Sequence, residues 1–264
     1  MTEIELINTL LDDVSPYVRA RFEDRGNLNI ESKGHVNDLL TEVDVEVQRR
    51  IIEAIQDVFP NDAICGEESG YDKPPDDSNV RCWIIDPIDG THNFIRGLYP
   101  MFGISIGVAR GNDLLAGGVD LPITHQRFRA VKGEGATLNG EPLRAGEIGQ
   151  LENARVEIDF NTAWNRRNTL TYFGPVINGA AEIRCHCAAV VGLCQIATGD
   201  VDAYLNTVIN AWDIAAAMLI VQESGGRVTC LDGSELDLYS IDKGILGSNS
   251  LIHDECITVI NYNQ

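Results

Sequence analysis

Apolar residues recur at helical spacing in the first part of the chain. Over the first 25 residues, a repeat of three and four positions predicts an amphipathic helix with the apolar members Ile4, Ile7, Leu10, Leu11, Val14, Val18 and Phe22. A second helix of this kind is predicted from about Val43 to Phe59. Thr41 and Asp44 have the spacing of a capping box, which indicates where the second helix begins.

Short apolar runs between turn residues predict strands in the middle of the chain. They lie at 63–65, 80–85, 102–109, 114–120 and 126–131. The run at 80–85 is expected to end at Asp86-Pro87. The glycine-rich stretch 133–149 is predicted to be a loop, and a boundary between an N-terminal half, 1–145, and a C-terminal half, 146–264.

The second half mixes strands and helices. The predicted strands are 154–159, 201–205, 227–230 and 244–248, and the predicted helices are 163–172, 188–198, 211–224 and 250–261. A helix pair, then a run of strands, then an alternation of both favours an α+β fold in layers over a uniform series of βαβ units.

The net charge of the chain argues against two classes of binding partner. The chain has 264 residues, with 40 acidic against 20 basic side chains, and a formal net charge of −20. Such a surface repels nucleic-acid phosphates and anionic membranes at long range, so neither is expected as a partner. Only four of the basic residues are lysine. An acidic, lysine-poor surface suits a high-salt cytoplasm, and high-GC codon usage with an acidic isoelectric point is the alternative explanation.

Cysteine usage and the N-terminus favour a cytoplasmic protein. The seven cysteines form no Cys-x-x-Cys pair, so reduced, mostly buried thiols are expected. The spacing in Cys185-His186-Cys187 is too tight for a four-ligand zinc site without a second pair nearby. No signal peptide is recognisable, and no run of about 18 apolar residues predicts a membrane span.

The densest chemical signal is the stretch from Trp83 to Phe94. An apolar strand leads into Asp86, Pro87 stiffens the bend, and Asp89 follows. This spacing can direct both carboxylates and the Ile88 carbonyl towards one point. Hard oxygen ligands of this kind suit Mg²⁺ or Mn²⁺.

The residues that follow suit a phosphate group. Gly90 permits a tight turn, and Thr91 would open a short helix whose N-terminal amides can hold a phosphate oxygen. An ordinary Asp-Pro-x-Asp-Gly turn without a metal explains the same residues.

Two further acids stand where elements begin or end. Glu67 follows a predicted strand, and Asp213 opens a predicted helix. A solvated acidic loop and a helix N-terminus stabilised by Asp213 are the corresponding non-functional interpretations.

Taken together, these motifs resemble the inositol monophosphatase family, within the superfamily of lithium-sensitive, Mg²⁺-dependent phosphatases. The matching segments are Lys33 with Asp38–Asp44, Gly66-Glu67-Glu68-Ser69, Trp83–Phe94, Trp212–Ala216 and Glu223–Gly226. The match extends from about residue 30 to 250. It implies a layered α/β/α/β/α sandwich of the inositol monophosphatase and fructose-1,6-bisphosphatase type, a lithium-sensitive activity and a homodimer.

The resemblance also implies a site for two to three Mg²⁺ ions, with Mn²⁺ as a possible substitute. Glu67, Asp86 and the Ile88 carbonyl correspond to ligands of the first ion. Asp86, Asp89 and Asp213 correspond to ligands of the second, and Glu67 also reaches a weaker third.

Four further residues correspond to the family's catalytic groups. Thr91 and Asp44 match a pair that helps to deprotonate the attacking water, to which Glu67 also contributes. The amides of Gly90 and Thr91 match those that bind the phosphate, and Lys33 matches a lysine near the substrate.

The residues that choose the substrate depart from the family pattern. Arg184 keeps a family position, but the following Gly-Ser/Thr-Ala-Ala element reads Cys187–Val190 here and contains Ala189. Asn206 stands where a glutamate often contacts inositol hydroxyls, and Gly192 stands where an aspartate is common.

The segment 159–167 matches another substrate region of the family. It contains Asp159 and the pair Arg166 and Arg167, which could hold a second anionic group. A bisphosphate is therefore a rival to inositol 1-phosphate.

The function expected from the resemblance is that of a Mg²⁺-dependent phosphomonoesterase acting on a small polyol or sugar phosphate. Inositol phosphate, fructose 1,6-bisphosphate, histidinol phosphate and a phosphoadenosine nucleotide are alternative substrates. A catalytically silent scaffold that binds a protein partner is the hypothesis of another class. The presence of all four acids argues against the scaffold, since buried unpaired carboxylates are costly without a metal.

Overall fold

A computed structural model describes residues 1–33, 39–68, 75, 77–97, 101–160 and 163–261, without the side chains of 163–166 and 168. The helices in these residues are α1 (Glu3–Glu23), α2 (Glu42–Val58), α3 (Thr91–Arg96), α4 (Ala163–Gly179), α5 (Ala189–Thr198), α6 (Ala211–Glu223) and α7 (His253–Asn261). The strands are β1 (Ile30–Ser32), β2 (Leu39–Thr41), β3 (Ala63–Gly66), β4 (Arg81–Asp89), β5 (Gly103–Arg110), β6 (Asp113–Leu121), β7 (Gln126–Val131), β8 (Gly135–Leu138), β9 (Glu141–Pro142), β10 (Arg155–Ile158), β11 (Glu182–Arg184), β12 (Ala203–Asn206), β13 (Arg227–Thr229) and β14 (Ile245–Ser248).

The two N-terminal helices form the first layer. Thr2 and Thr41 begin α1 and α2, each in a capping box completed by an acid three residues later. The apolar faces of both helices pack together on a seven-stranded sheet with the order β3-β4-β5-β6-β7-β8-β9. The predicted helices and their capping box are thus confirmed.

Helix α6 covers the opposite face of this sheet. Its backbone approaches closely because Gly107 and Gly117 have no side chain: a Cβ at either position would lie 2.8–2.9 Å from Ala215 or Ala216. This close contact places the first turn of α6 beside the ends of β4 and β5, where the acidic site is found.

A second sheet completes the layers, with the order β11-β10-β12-β14-β13. Helices α5 and α6 lie between the two sheets, whereas α4 and α7 cover the outer face of the second sheet with a separate apolar cluster. The result is the α/β/α/β/α order that the resemblance implied.

Strand β4 does not end at Asp86-Pro87 as predicted. It continues to Asp89, and its register against β5 shifts between Asp86 and Asp89. Proline lacks the N–H that a regular ladder requires, and a bulge accommodates it within a sheet. The irregularity lies within the strand, and the chain turns only at Gly90.

The prediction of a loop at 133–149 was wrong in its first part. Strands β8 and β9 extend the first sheet to Pro142, with left-handed backbone at Gly133, Gly135 and Gly140 in the connections. Glycine adopts this conformation without strain, so a glycine-rich stretch can consist of very short strands and tight turns.

Five other segments differ from the prediction. Helix α4 continues to Gly179, and α7 begins at His253. Strands β1, β2 and β11 are only three residues each, too short for a recognisable apolar pattern.

Candidate active site

Three carboxylates from two elements meet between the sheets. Asp86 and Asp89 lie on either side of the register shift in β4, and Asp213 lies in the first turn of α6. One carboxylate oxygen from each lies within 4.8 Å of the others. We call these three residues the acidic centre.

Backbone amides hold each carboxylate of the acidic centre in place. The amide of Ile88 donates to Asp86 Oδ1 at 2.9 Å, and that of Val190 donates to Asp89 Oδ2 at 2.7 Å. Asp213 Oδ2 accepts from the amide of Asn210 at 2.7 Å in a capping box. Asp213 therefore caps the N-terminus of α6 and also belongs to the acidic centre. Its position fits both interpretations from the sequence, a helix cap and a member of the acidic site.

Burial and mutual repulsion shift the acidic centre towards protonation. Burial raises the pKa of Asp86 and Asp89 well above the usual range, and neighbouring carboxylates raise it further. Burial and the charge of Glu67 raise the pKa of Asp213 to about 7, although hydrogen bonds from Asn210 oppose the shift. A cation would relieve this repulsion. The donors are all hard oxygens, and the set therefore fits Mg²⁺, Mn²⁺ or Ca²⁺.

Glu67 approaches the acidic centre from the end of β3. Its amide donates to the Ile85 carbonyl at 3.1 Å, and its charge contributes to the raised pKa of Asp86. Lys33 Nζ lies 2.9 Å from both Glu67 Oε1 and Glu68 Oε1. Burial alone would lower the pKa of Lys33, but these two carboxylates outweigh it and raise the pKa.

Thr91 connects the acidic centre to a buried acid of α2. Its hydroxyl lies 3.0 Å from the Ile88 carbonyl and 3.4 Å from Asp44 Oδ1. Burial raises the pKa of Asp44 to about 6, in spite of the hydrogen bonds that Thr41 donates to it. The predicted pair of Thr91 and Asp44 is thus in contact.

Gly90 permits this arrangement by its backbone conformation. Its φ of +86° is left-handed, and a Cβ would lie 3.0 Å from the Cβ of Ala188. It precedes Thr91 as the N-cap of α3, so the predicted turn and short helix are both present.

The predicted substrate residues lie in two different environments. Asn206 is only 4% exposed; its Nδ2 donates to the Tyr204 hydroxyl at 3.1 Å, and its Oδ1 accepts from the Val208 amide at 2.9 Å. Tyr204 in turn donates to Asp159 Oδ2 at 2.6 Å. Asn206 is therefore not a solvent-facing residue.

The other substrate candidates differ in burial. Ala189 is buried in the first turn of α5, whereas Arg184 is half exposed and pairs with Glu182. In the segment 159–167, Arg167 is exposed. Asn161 and the side chains of Trp164, Asn165 and Arg166 lie outside the described residues, as do Ser69 and Asp38 of the matched motifs.

Glu157 is a buried polar residue that the sequence analysis missed. It is 0% exposed, and its Oε2 lies 2.7 Å from Nδ1 of His186. Hydrogen bonding to Glu157 raises the pKa of His186. Strand alternation could have revealed it, because Val156 and Ile158 face α4 and α7, which places Glu157 and Asp159 together on the α5 face.

Comparison with known proteins identifies the family. The model of the inositol monophosphatase family matches residues 3–263. A Thermotoga maritima relative named fructose-1,6-bisphosphatase/inositol-1-monophosphatase is 36% identical over 237 residues, which cover 88% of this chain and 86% of the relative. This chain belongs to the inositol monophosphatase family.

Solved structures and other relatives agree with this family. The structure of a Thermotoga maritima IMPase has 34% identity and a TM-score of 0.87, and the match covers 100% of this chain and 98% of that one. A Pseudomonas aeruginosa relative named Nus factor SuhB is 36% identical over 228 residues, 84% of this chain and 83% of the relative.

Family membership makes this chain a hydrolase of phosphate monoesters. A structure of the same fold, an IMPase/NADP phosphatase, holds NADP and Ca²⁺. In the described part of the chain, no helix is both long and apolar enough to span a membrane.

Proposed function

We propose that this protein is a Mg²⁺-dependent phosphomonoesterase that hydrolyses small polyol or sugar phosphates, including inositol 1-phosphate. The observation that carries the proposal is the convergence of Asp86, Asp89 and Asp213 within 4.8 Å. A bound cation would relieve the repulsion among these buried acids, and its positive charge would attract the phosphate group of an ester beside it.

The metal ligands are assigned from the family resemblance, and the convergence of three of the acids supports the assignment. Asp86, Glu67 and the Ile88 carbonyl would hold one ion, and Asp86, Asp89 and Asp213 a second. When bound, Mg²⁺ would supply the positive charge that activates water and stabilises the negative charge developing on the phosphate. The capped and hydrogen-bonded carboxylates keep their positions throughout, which provides the preorganisation that phosphoryl transfer needs.

Thr91 and Asp44 are assigned the proton transfer. The Thr91 hydroxyl can accept a proton from the attacking water while passing its own to Asp44 Oδ1, 3.4 Å away. A carboxyl with a pKa of about 6 is well matched to accept that proton near neutral pH.

Lys33 is placed to orient Glu67. Because it pairs with both Glu67 and Glu68, it fixes the direction of the Glu67 carboxylate and offsets part of its charge. The amides of Gly90 and Thr91 are proposed to bind phosphate oxygens.

The chemical character of Asn206 favours broad substrate selectivity. Asn206 is a neutral amide whose two polar atoms already have partners in Tyr204 and Val208. It therefore offers no free carboxylate for a charge-assisted bond to a hydroxyl, and such bonds are about twice as strong as neutral ones. Inositol 1-phosphate is expected to be hydrolysed, but preferred by no more than about tenfold, the ratio that one neutral hydrogen bond supplies.

Phosphate release from a panel of esters tests this function. We would compare kcat/KM with Mg²⁺ for inositol 1-phosphate, fructose 1,6-bisphosphate, histidinol phosphate, glycerol 2-phosphate and a 3′-phosphoadenosine nucleotide. An inactive Asp213→Asn protein would show that the release arises at the acidic centre. A hundredfold preference for inositol 1-phosphate would contradict the proposed broad selectivity. No release from any ester would contradict the function itself and favour a non-catalytic scaffold.

Lithium gives an independent check of the second metal position. We infer that Li⁺ replaces Mg²⁺ between Asp86, Asp89 and Asp213 after turnover, so that inhibition is uncompetitive with substrate. Competitive inhibition would contradict this assignment.

A further inference from the structure

A second group of side chains that could hold a metal lies near the acidic centre but shares no residue with it. Cys185 and Cys187 are exposed, and their Sγ atoms are 3.5 Å apart. Asp159, at the end of β10, brings a carboxylate oxygen so near that the three ligand atoms lie within 4.8 Å of one another. We call these three residues the thiol cluster.

The backbone around the thiol cluster is firmly held. The amide of Cys187 donates to Asp159 Oδ1 at 3.0 Å, and Asp159 Oδ2 accepts from the buried Tyr204 hydroxyl. Cys187 has a left-handed φ of +57°, a conformation uncommon outside glycine.

His186 lies between the two cysteines and anchors the segment 185–187 to neighbouring elements. Its amide and its Nδ1 both bond to the buried carboxylate of Glu157, and its carbonyl accepts from Asn93 Nδ2 at 2.7 Å. The segment that carries both thiols is therefore tied to β10 and α3. Little conformational ordering is needed when a ligand binds.

We propose that Cys185, Cys187 and Asp159 form a binding site for a thiophilic divalent cation, Zn²⁺ being the physiological candidate. Two sulfurs at about 2.3 Å from a tetrahedral zinc ion lie about 3.8 Å apart, close to the 3.5 Å separation in this structure. The carboxylate supplies a third ligand, and water completes the coordination because both cysteines face solvent. Both thiol protons leave to solvent as the metal binds.

The proposed site differs from the four-ligand zinc site that the cysteine spacing excluded. Cys185-His186-Cys187 lacks a second cysteine pair in the sequence, but the fold provides the missing ligand from Asp159, which precedes the segment in the chain. Soft thiolates select zinc-like ions, whereas the all-oxygen acidic centre suits Mg²⁺. The two sites should therefore be separable by metal type, whether or not the proposed phosphatase function is correct.

Cd²⁺ titration in excess Mg²⁺ provides the test. The full-length, reduced protein is titrated with CdCl₂ while Mg²⁺ occupies the carboxylates, and sulfur-to-cadmium charge-transfer absorption reports thiolate binding. We expect saturation at one Cd²⁺ per chain and displacement by Zn²⁺. Cys185→Ser and Cys187→Ser should each weaken binding by at least about a hundredfold, because losing a ligand costs at least as much as losing its hydrogen-bond partner. Asp159→Asn should keep the absorption band and bind more weakly.

The matched control is Cys230→Ser, a buried cysteine elsewhere in the fold, which should titrate like the wild type. Thermal melting of each variant checks that the fold is retained; Cys185 is exposed, so its substitution should not disturb the core. The proposal is overturned if no charge-transfer band develops. It is equally overturned if the band and affinity survive in both Cys185→Ser and Cys187→Ser.

Discussion

The three residues of the acidic centre are subject to opposing requirements. Asp86, Asp89 and Asp213 must remain close enough to share cations, yet burial and mutual repulsion raise the pKa of each. The protein holds them by hydrogen bonds from backbone amides, which favour the charged form. The unliganded centre is consequently a source of instability that metal binding removes.

Neutralising one acid of the centre should separate stability from activity. Asp89→Asn and Asp213→Asn should each lower kcat by at least tenfold, about 1.4 kcal/mol. Without Mg²⁺, each variant should melt at a higher temperature than the wild type, because one repelling charge is gone. Mg²⁺ should raise the melting temperature of the wild type and have a smaller effect on the variants.

Asp57→Asn, an exposed acid of α2, is the matched control and should leave both measurements unchanged. Phosphate-release kinetics and thermal melting with and without Mg²⁺ check the outcome. Retention of more than a tenth of the wild-type kcat in both variants would show that a two-metal site is not required.

The sequence was informative at single residues where chemistry coincides with an element boundary. Asp86 and Asp89 end an apolar strand, Glu67 follows another, and Asp213 opens a helix, so motif and topology agree. Within the network of Glu157, His186, Asp159 and Tyr204, only Asp159 was predicted as a site residue. The network depends on pairing β10 with β12, residues far apart in the chain, and on packing α5 against β12.

At the scale of elements, α5 is set very close to the second sheet. A Cβ at Gly192 would lie 2.5 Å from Tyr204 Cδ2 and 2.9 Å from Glu157 Cδ. The aspartate common in the family at this position therefore has no room here. Tyr204 and Glu157 occupy the space and form the polar network beside the thiol cluster.

Gly192→Ala is expected to destabilise the protein by about 1–3 kcal/mol, because an added methyl in a packed core displaces its neighbours. Gly149→Ala, in the exposed loop before β10, is the matched control: its φ is not left-handed, and nothing lies within 4 Å of its added Cβ. That change should be neutral or stabilising by up to about 1 kcal/mol, because alanine has less conformational freedom than glycine in the unfolded chain. Denaturant unfolding measures both. Equal stability of the two variants would refute the tight packing of α5.

His253 connects three elements of the second half in its neutral form. Its Nε2 lies 2.9 Å from the Thr229 hydroxyl of β13, and its Nδ1 lies 2.7 Å from the Ser248 hydroxyl of β14. Thr229 donates its own proton to the Cys230 carbonyl, so it accepts from Nε2–H, and Ser248 donates to Nδ1. Burial, with the charge of Arg227, lowers the pKa of His253 from 6.5 to about 4.

This pKa shift predicts a loss of stability on acidification. Between pH 6.5 and 4 the unfolded chain binds a proton at His253 and the folded chain does not, so the contribution is complete above pH 6.5 and falls as pH decreases. At pH 5 the loss should be about 2 kcal/mol. Other titrating groups alter the total curve, so the measured quantity is the difference between wild type and His253→Gln in guanidinium unfolding at pH 7 and 5. The same pH slope in both proteins would refute the assignment.

The elements themselves were predicted well where their pattern was long. Helices α1, α2 and α6 and strands β5, β6 and β7 follow from apolar periodicity. The short strands β8 and β9 did not, because glycine supplies no pattern and their stability comes from pairing with β7. Predicted element boundaries were wrong where tertiary structure decides how far an element extends. The end of β4 is an example, because the bulge accommodates Pro87 within the strand.

At the scale of the whole molecule, the net charge of −20 opposes the proposed activity. A phosphate ester carries the same sign as the surface, so its approach meets repulsion until it is near the metal-occupied site. At the site, the metal ions and backbone amides bind the ester. The long-range field of the surface charges governs how often the ester encounters the site. Salt should therefore act mainly on kcat/KM, since it screens the distant charges more than the buried ones.

We expect kcat/KM for inositol 1-phosphate to rise from low to moderate KCl, by about two- to tenfold, with a smaller change in kcat. Fructose 1,6-bisphosphate, which carries more negative charge, should respond more strongly. Histidinol phosphate, whose positive groups offset its phosphate, should respond less, and this ordering distinguishes screening from a general effect of salt on folding. Steady-state kinetics at fixed free Mg²⁺ measures it. A monotonic fall of kcat/KM for all three substrates would mean that the field at the site is already attractive, and that the acidic surface does not limit substrate capture.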